Sequence, residues 1–217
     1  MQNKKCFISW SGGKDSCLAL FKAKEMGYEP LKLLTMFGTE EISSSHRLSE
    51  KIIKAQAESL GLDYTIGKAA FDDYEKVFVS ILKDFKDLGI NCGIFGDIDL
   101  DEHRQWEERV CRSASMEAVL PLWKRNRKDL VKEFISLGFK AKIVVVNTQM
   151  LDSKFLGRDL SFSLIEEIET SGADPCGENG EYHTLVYDGP LFKKPLKVRF
   201  NPEIIPVGEK WAQITIL

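Results

Sequence analysis

The sequence predicts an α/β protein: a mostly parallel sheet with helices on both faces, followed by a smaller α+β lobe. Three observations predict it. Short apolar runs alternate with helical patterns through the first two-thirds of the chain. A glycine-rich loop, Ser11–Ser16, joins the first apolar run to the first helical pattern. The alternation then breaks around Pro121, and the end of the chain reads as an antiparallel strand pair.

Taken in order, Lys5–Trp10 reads as a buried strand, and a helix begins near Lys14 with Cys17, Leu18 and Phe21 on its apolar face and Gly27 as its stop. Leu31–Met36 is a second strand, Leu48–Leu60 a second helix stopped at Gly61, and Asp63–Ile66 a short third strand. Tyr74, Val77, Phe78, Ile81, Leu82 and Phe85 recur at helical spacing and mark a third helix. Cys92–Gly96 is a strand, Glu102–Ser113 a helix and Ala118–Leu120 a strand. Beyond Pro121 follow a helix at Arg127–Leu137, a β-branched strand at Lys142–Val146, a helix at Leu160–Glu169, a glycine-rich loop at Gly172–Gly180 and a strand at Thr184–Tyr187. Leu196–Asn201 and Lys210–Leu217 complete the pattern as an antiparallel pair. The expected domains are therefore 1–122, an α/β domain, and 123–217, a smaller α+β domain.

Composition excludes several classes. The formal net charge is −3, without the basic footprint of a nucleic-acid-binding domain, so nucleic acid is not an expected partner. No apolar run reaches the length of a membrane span, and Met1–Lys5 is polar and carries no signal-peptide core, so no membrane is expected. The five cysteines are scattered, odd in number and without a CxxC pair, which fits reduced thiols in the cytoplasm better than disulfides or a zinc site.

Ser11-Gly12-Gly13-Lys14-Asp15-Ser16 carries the clearest chemistry. A helix start offers unpaired N–H groups and partial positive charge, and two glycines let backbone approach an anion. Lys14 adds a cation, and Ser11 and Ser16 add hydroxyl donors, giving a phosphate nest. The Walker pattern fails, because Asp15 follows Lys14 and Ile8 stands where its first glycine belongs, and GxGxxG is absent. The loop resembles that of the N-type ATP pyrophosphatases, which include GMP, NAD and argininosuccinate synthetases and tRNA-thiolating and lysidine-forming enzymes. That resemblance implies a Rossmann-like (HUP-type) sheet, cleavage of ATP between the α- and β-phosphates, and transient attachment of AMP to the substrate. ATP contacts are then implied for Ser9, Ser11, Gly12, Gly13, Lys14, Asp15, Ser16 and Gly96, and for the backbone at Met36 and Phe37, with Mg2+ bridging the phosphates.

Further segments narrow the resemblance. Gly96-Asp97-Ile98, Pro121-Leu122-Trp123, the run from Asp174-Pro175-Cys176-Gly177 through Glu178-Asn179-Gly180-Glu181-Tyr182-His183-Thr184, and Asp188-Gly189-Pro190-Leu191-Phe192 follow one another in an order similar to the diphthine–ammonia ligase family. The similarity runs from about residue 4 to about residue 195. It implies an ATP-dependent carbon–nitrogen ligase that adenylates a carboxylate, releases pyrophosphate and transfers ammonia. Independently of the name, Glu178, Asn179, Glu181 and His183 place two carboxylates, an amide and an imidazole within six residues, a group able to bind an amine and accept its proton or to order a magnesium ion through water.

The candidate catalytic residues are Lys14, Asp97, Glu178, Glu181 and His183, and the candidate substrate contacts are His46, Arg104, Trp123, Asn179 and Thr184. Asp97 follows a strand at the edge where open α/β sheets bind ligands, and can hold the substrate or a metal ion. Ser43-Ser44-Ser45-His46-Arg47 and Glu102–Trp106 differ from the eukaryotic and archaeal ligases and are similar to a bacterial-type branch. The implied acceptor is diphthine on a translation elongation factor in an archaeon or eukaryote, or a small molecule, for example a cobalamin-related one, in a bacterium. A tRNA-modifying adenylating enzyme and a non-catalytic ATP or AMP sensor are the rival readings. The β-rich tail is the expected seam of a homodimer.

Overall fold

The computed structural model describes residues 4–38, 43 and 46–217. The chain divides into two units, one running up to Ser11 and from Asp15 to Lys124, the other comprising Gly12–Lys14 and Arg125–Leu217. The first unit is a sheet of five parallel strands: β1 (Lys4–Ser9), β2 (Tyr28–Phe37), β3 (Asp63–Lys68), β4 (Cys92–Ile94) and β5 (Glu117–Val119), in the order β3-β2-β1-β4-β5. Helices α1 (Lys14–Glu25), α2 (Glu50–Leu60), α3 (Tyr74–Asp87) and α4 (Asp101–Ser113) connect them.

The central strand explains the architecture. Cys6, Phe7 and Ile8 are all fully buried, although successive side chains of a strand point to opposite faces, so both faces must be covered. On one face the Phe7 ring meets Phe78 and Phe85 of α3 edge-on or tilted, with centroids 6.4 and 5.6 Å away, and Phe95 at 5.9 Å. Val110 and Cys111 of α4 complete that cluster. Trp10, just beyond β1, is buried and donates its indole N–H to Gln56 of α2 at 2.9 Å. Gly61 ends α2 in the left-handed region, at φ 71°, with its N–H on the Ala57 and Glu58 carbonyls, as its place after the apolar pattern predicts.

Strand order reverses at β1: β2 and β3 lie on one side, β4 and β5 on the other. The carboxyl ends of β1 and β4 therefore flank the switch point at which open α/β sheets form a ligand crevice. β4 ends at Ile94, two residues before the expected Gly96.

The second unit holds α5 (Arg127–Ser136), β6 (Lys140–Asn147), α6 (Phe162–Thr170), β7 (Tyr182–Asp188), β8 (Phe200–Val207) and β9 (Trp211–Ile216). Its four strands form an antiparallel sheet in the order β7-β6-β9-β8. Asn126 and Ser161 cap α5 and α6 by accepting the N–H groups of Asp129 and Leu164. The tail hairpin departs from expectation: β8 spans Phe200–Val207, not Leu196–Asn201, and pairs Val207 with Trp211. The turn sets this register. Gly208, at φ 60°, allows a short reversal, so the strand must run back from residue 207, and Pro202 and Pro206 are tolerated because β8 is an edge strand. Among the described residues no helix is long and apolar enough to cross a membrane.

Gln56 is fully buried and is the partner of the Trp10 indole. Replacing it with leucine leaves that N–H without this acceptor and is expected to lower unfolding stability by about 1–3 kcal/mol, read by urea denaturation.

Candidate active site

The phosphate loop begins where β1 ends. Ser9 closes the strand, Trp10 donates its backbone N–H to Leu34 at 2.8 Å, and the Ser11 and Ser16 hydroxyls lie 3.1 Å apart. Gly12 takes φ 81°, a conformation in which a side chain is strained. Asp15 lies in the first turn of α1, and Ser16 is buried. A Cβ on Gly96 would come within 2.9 Å of the Asp15 carbonyl carbon and the Ser16 nitrogen, so only glycine lets the chain leaving β4 pass this close to the first turn of α1. Met36 and Phe37 end β2 with both side chains in the core, leaving backbone as what they offer a ligand.

Gly12–Lys14 belong to the second unit, where β7 holds them. The Val186 N–H donates to the Gly12 carbonyl at 3.0 Å, and the Lys14 N–H donates to the Thr184 hydroxyl at 3.1 Å. The Lys14 side chain is nearly buried, with Nζ 5.7 Å from the centre of the Tyr182 ring. Thr184, expected as a substrate contact, is itself buried and engaged with the loop backbone.

The glycine-rich loop before β7 is organised by two carboxylates. Glu181 is buried and accepts the backbone N–H groups of Asp174 and Asn179 at 3.1 and 3.0 Å, and the Asn179 amide at 3.1 Å. Asp174 accepts the N–H groups of Cys176 and Glu178 and one N–H of Arg127 at 2.8 Å. The same guanidinium nitrogen reaches Asn179 at 2.8 Å. Tyr182 packs on Gly177, where a Cβ would lie 2.8 Å from its ring, and donates its hydroxyl to the Pro175 carbonyl at 2.7 Å. Glu181 and Asn179 thus spend their polar atoms on holding the loop. Glu178 is half-buried, and the His183 imidazole stacks on Trp211 at 5.6 Å. Cys176 is buried within the loop.

Asp97 follows β4 in the first unit. It accepts a hydrogen bond from His103 Nδ1 at 2.7 Å and shares another with Glu107 of α4. Burial alone would raise the Asp97 carboxyl, but these hydrogen bonds outweigh it and hold it below the ordinary carboxylate range. Glu107 goes the other way: burial, then the bond to Asp97 and its charge, push the carboxyl up to about 11. Arg104 and Lys124 flank the Trp123 ring, at 5.1 and 4.7 Å from its centre. Lys124 holds φ 57° with its N–H on the Ile98 carbonyl at 2.7 Å. His46 is half-buried, and Ser44 and Ser45 of its segment lie outside the described residues. Among the described residues no three His, Cys, Asp or Glu converge on a metal position.

Sequence reasoning passed over His103, Glu107, Asp174 and Arg127. Glu107 did leave a signal: it lies three and four residues before Val110 and Cys111 and so falls on the apolar face of α4, where a lone carboxyl needs a partner.

A doubly wound sheet with a glycine loop at its switch point defines a phosphate-loop protein of the parallel α/β class. The diphthamide synthase N-terminal domain matches residues 4–118, and the diphthamide synthase C-terminal domain matches residues 126–215. The chain belongs to the diphthamide synthase family. It is 29% identical to the human diphthine–ammonia ligase, over 95% of this chain and 87% of that protein. The zebrafish (Danio rerio) diphthine–ammonia ligase is 27% identical, over 95% of this chain and 91% of that one. The Schizosaccharomyces pombe diphthine–ammonia ligase is 29% identical over 85% of this chain, which spans 34% of that protein.

Two outcomes follow from this geometry. Gly96→Ala is expected to displace the first turn of α1 and lower unfolding stability by about 1–3 kcal/mol, read by urea denaturation. Folded Glu107 keeps its proton from its ordinary value of 4.5 up to about 11, whereas the unfolded chain releases it. The folded state therefore binds more protons across that window, and stability falls as pH rises. Glu107→Gln removes this loss, so the variant gains on the wild type progressively in urea denaturation at about pH 5, 7 and 9.

Proposed function

We propose that this protein is an ATP-dependent carbon–nitrogen ligase that adenylates a substrate carboxylate and transfers ammonia to it. The observation that carries this reading is the Ser11–Ser16 loop at the sheet's switch point, in a chain whose relatives are named diphthine–ammonia ligases.

ATP places its phosphates on the loop, where the α1 N-terminus and Lys14 stabilise negative charge on the departing pyrophosphate. A substrate carboxylate oxygen attacks the α-phosphorus and the bond to the β-phosphate oxygen breaks, leaving an acyl-adenylate. Ammonia then attacks the acyl carbon, AMP leaves with the former carboxylate oxygen, and the nitrogen loses a proton to Glu178 or His183. Glu181 and Asn179 support this step by holding the loop that carries Glu178. Asp97, Arg104 and Trp123 position the substrate. Magnesium bound with ATP would supply charge neutralisation on the phosphates, and Asp97 is the carboxylate that would help hold it.

The relatives' name makes the diphthine carboxylate the first acceptor to test, with small-molecule carboxylates second. The assay follows ATP-dependent release of pyrophosphate and AMP in the presence of ammonium and each acceptor. Equal yields of pyrophosphate, AMP and amide are expected. ADP and phosphate as products, or no turnover with any acceptor, would sink the reading. Lys14→Ala is expected to lower pyrophosphate release about 100-fold or more while remaining folded by circular dichroism.

A further inference from the structure

Arg104 stands at the start of α4 with its guanidinium laid against the Trp123 ring, 5.1 Å from the ring centre. Its charged neighbour is Glu108, one turn further along, whose Oε1 lies 3.4 Å from Nε without forming a hydrogen bond. The two side chains are 39% and 43% exposed, so water screens that pair. Among the described residues none accepts a hydrogen bond from the Arg104 guanidinium. Nε is buried, which leaves the two terminal nitrogens as the donors that can meet a ligand.

The platform beneath this guanidinium is fixed by backbone. Lys124 holds the left-handed φ of 57°, uncommon for a side chain of its size, with its N–H on the Ile98 carbonyl at 2.7 Å. The Trp123 N–H donates to the Leu120 carbonyl at 3.2 Å. Lys124 Nζ lies 3.2 Å from the Asp99 carbonyl and 3.5 Å from Asp101. These bonds tie the 120–124 turn to the segment that leads into α4, and so set the ring against Arg104. The Lys124 ammonium is spent on that segment, whereas the Arg104 fork keeps its donors. Both pieces follow the carboxyl ends of β4 and β5, on the side where open α/β sheets take ligands.

We propose that Arg104, seated on Trp123, determines acceptor specificity: its two terminal nitrogens take a second oxyanion, a carboxylate or phosphate group that the acceptor carries besides the carboxylate to be adenylated. A planar fork matches such a group with two parallel charge-assisted bonds, and stacking on an indole orients the fork before the ligand arrives. A carboxylate held by both oxygens is a poorer nucleophile, so the group bound here is not the one that attacks phosphorus. That the oxyanion belongs to the acceptor rests on the ligase reading above; the anion site itself does not.

The test needs no turnover. Succinate and inorganic phosphate are titrated at constant ionic strength into the 15N-labelled protein, with and without α,β-methylene-ATP. The Arg104 Nε–H resonance, assigned by its loss in Arg104→Lys, and the Trp123 indole resonance, assigned by its loss in Trp123→Phe, report binding. Both are expected to shift saturably, with Kd on the order of 1–10 mM for the better anion, whether or not the nucleotide is bound. Tighter binding of succinate assigns a carboxylate, and tighter binding of phosphate assigns a phosphate group. Arg104→Lys, read at the Trp123 indole, is expected to weaken binding about tenfold, because an ammonium offers no fork. Trp123→Leu, read at Arg104, is expected to weaken it about threefold. No shift with either anion up to about 100 mM overturns the proposal. So does undiminished binding in Arg104→Lys, or displacement of the anion by the nucleotide, which would give Arg104 to ATP. Absence of pyrophosphate release with every acceptor sinks the ligase reading and leaves this titration standing.

Discussion

Residue 96 has no room for a side chain. A methyl there would press on the backbone of Asp15 and Ser16, and this close approach brings the end of β4 against the first turn of α1. The strand order makes the contact necessary. β1 and β4 are neighbours, the sheet reverses between them, and the loop leaving β1 must turn at once into a helix. Gly12 supplies the left-handed turn, and Gly96 supplies the clearance against the first turn of α1. The buried aromatic cluster under β1 keeps the frame stiff enough for that geometry to persist.

Each unit manages its buried acids by giving them local work. In the second unit, Glu181 and Asp174 accept five backbone and side-chain N–H groups of a single loop besides the Arg127 guanidinium, so their charge is spread over donors that would otherwise be orphaned. In the first, Asp97 stays ionised because Glu107 stays protonated. One negative charge shared over two carboxyls costs less in a poorly solvated site than two. Asp97 in one unit and Glu178 in the other stay half-buried.

Much of this was legible in the chain. The α3 periodicity placed Phe78, Leu82 and Phe85 in the core, and the continuous apolar run at Cys6–Ile8 marked a strand covered on both faces. The Ser11–Ser16 loop could be read as a strand-to-helix junction because its parts are contiguous: strand, two glycines, lysine and helix. The hairpin at the end was misplaced because Leu196–Phe200 is as apolar as a strand, whereas register depends on the turn at Gly208. Glu181 and Glu178 stand three residues apart in one polar run, yet only Glu181 is buried. In a polar segment, composition cannot separate a carboxylate that binds a ligand from one that binds its own backbone.

The sequence by itself determined the fold class, the strand-to-helix junction at Ser11–Ser16 and the resemblance to the family, since periodicity and motifs act over a few consecutive residues. Only the tertiary structure decided which acids are tied to donors of their own scaffold. Protonation and orientation depend on burial and on partners far along the chain: Glu107 lies ten residues from Asp97, and Arg127 forty-seven from Asp174. No local pattern encodes such pairs, because folding alone brings them out of water and into contact.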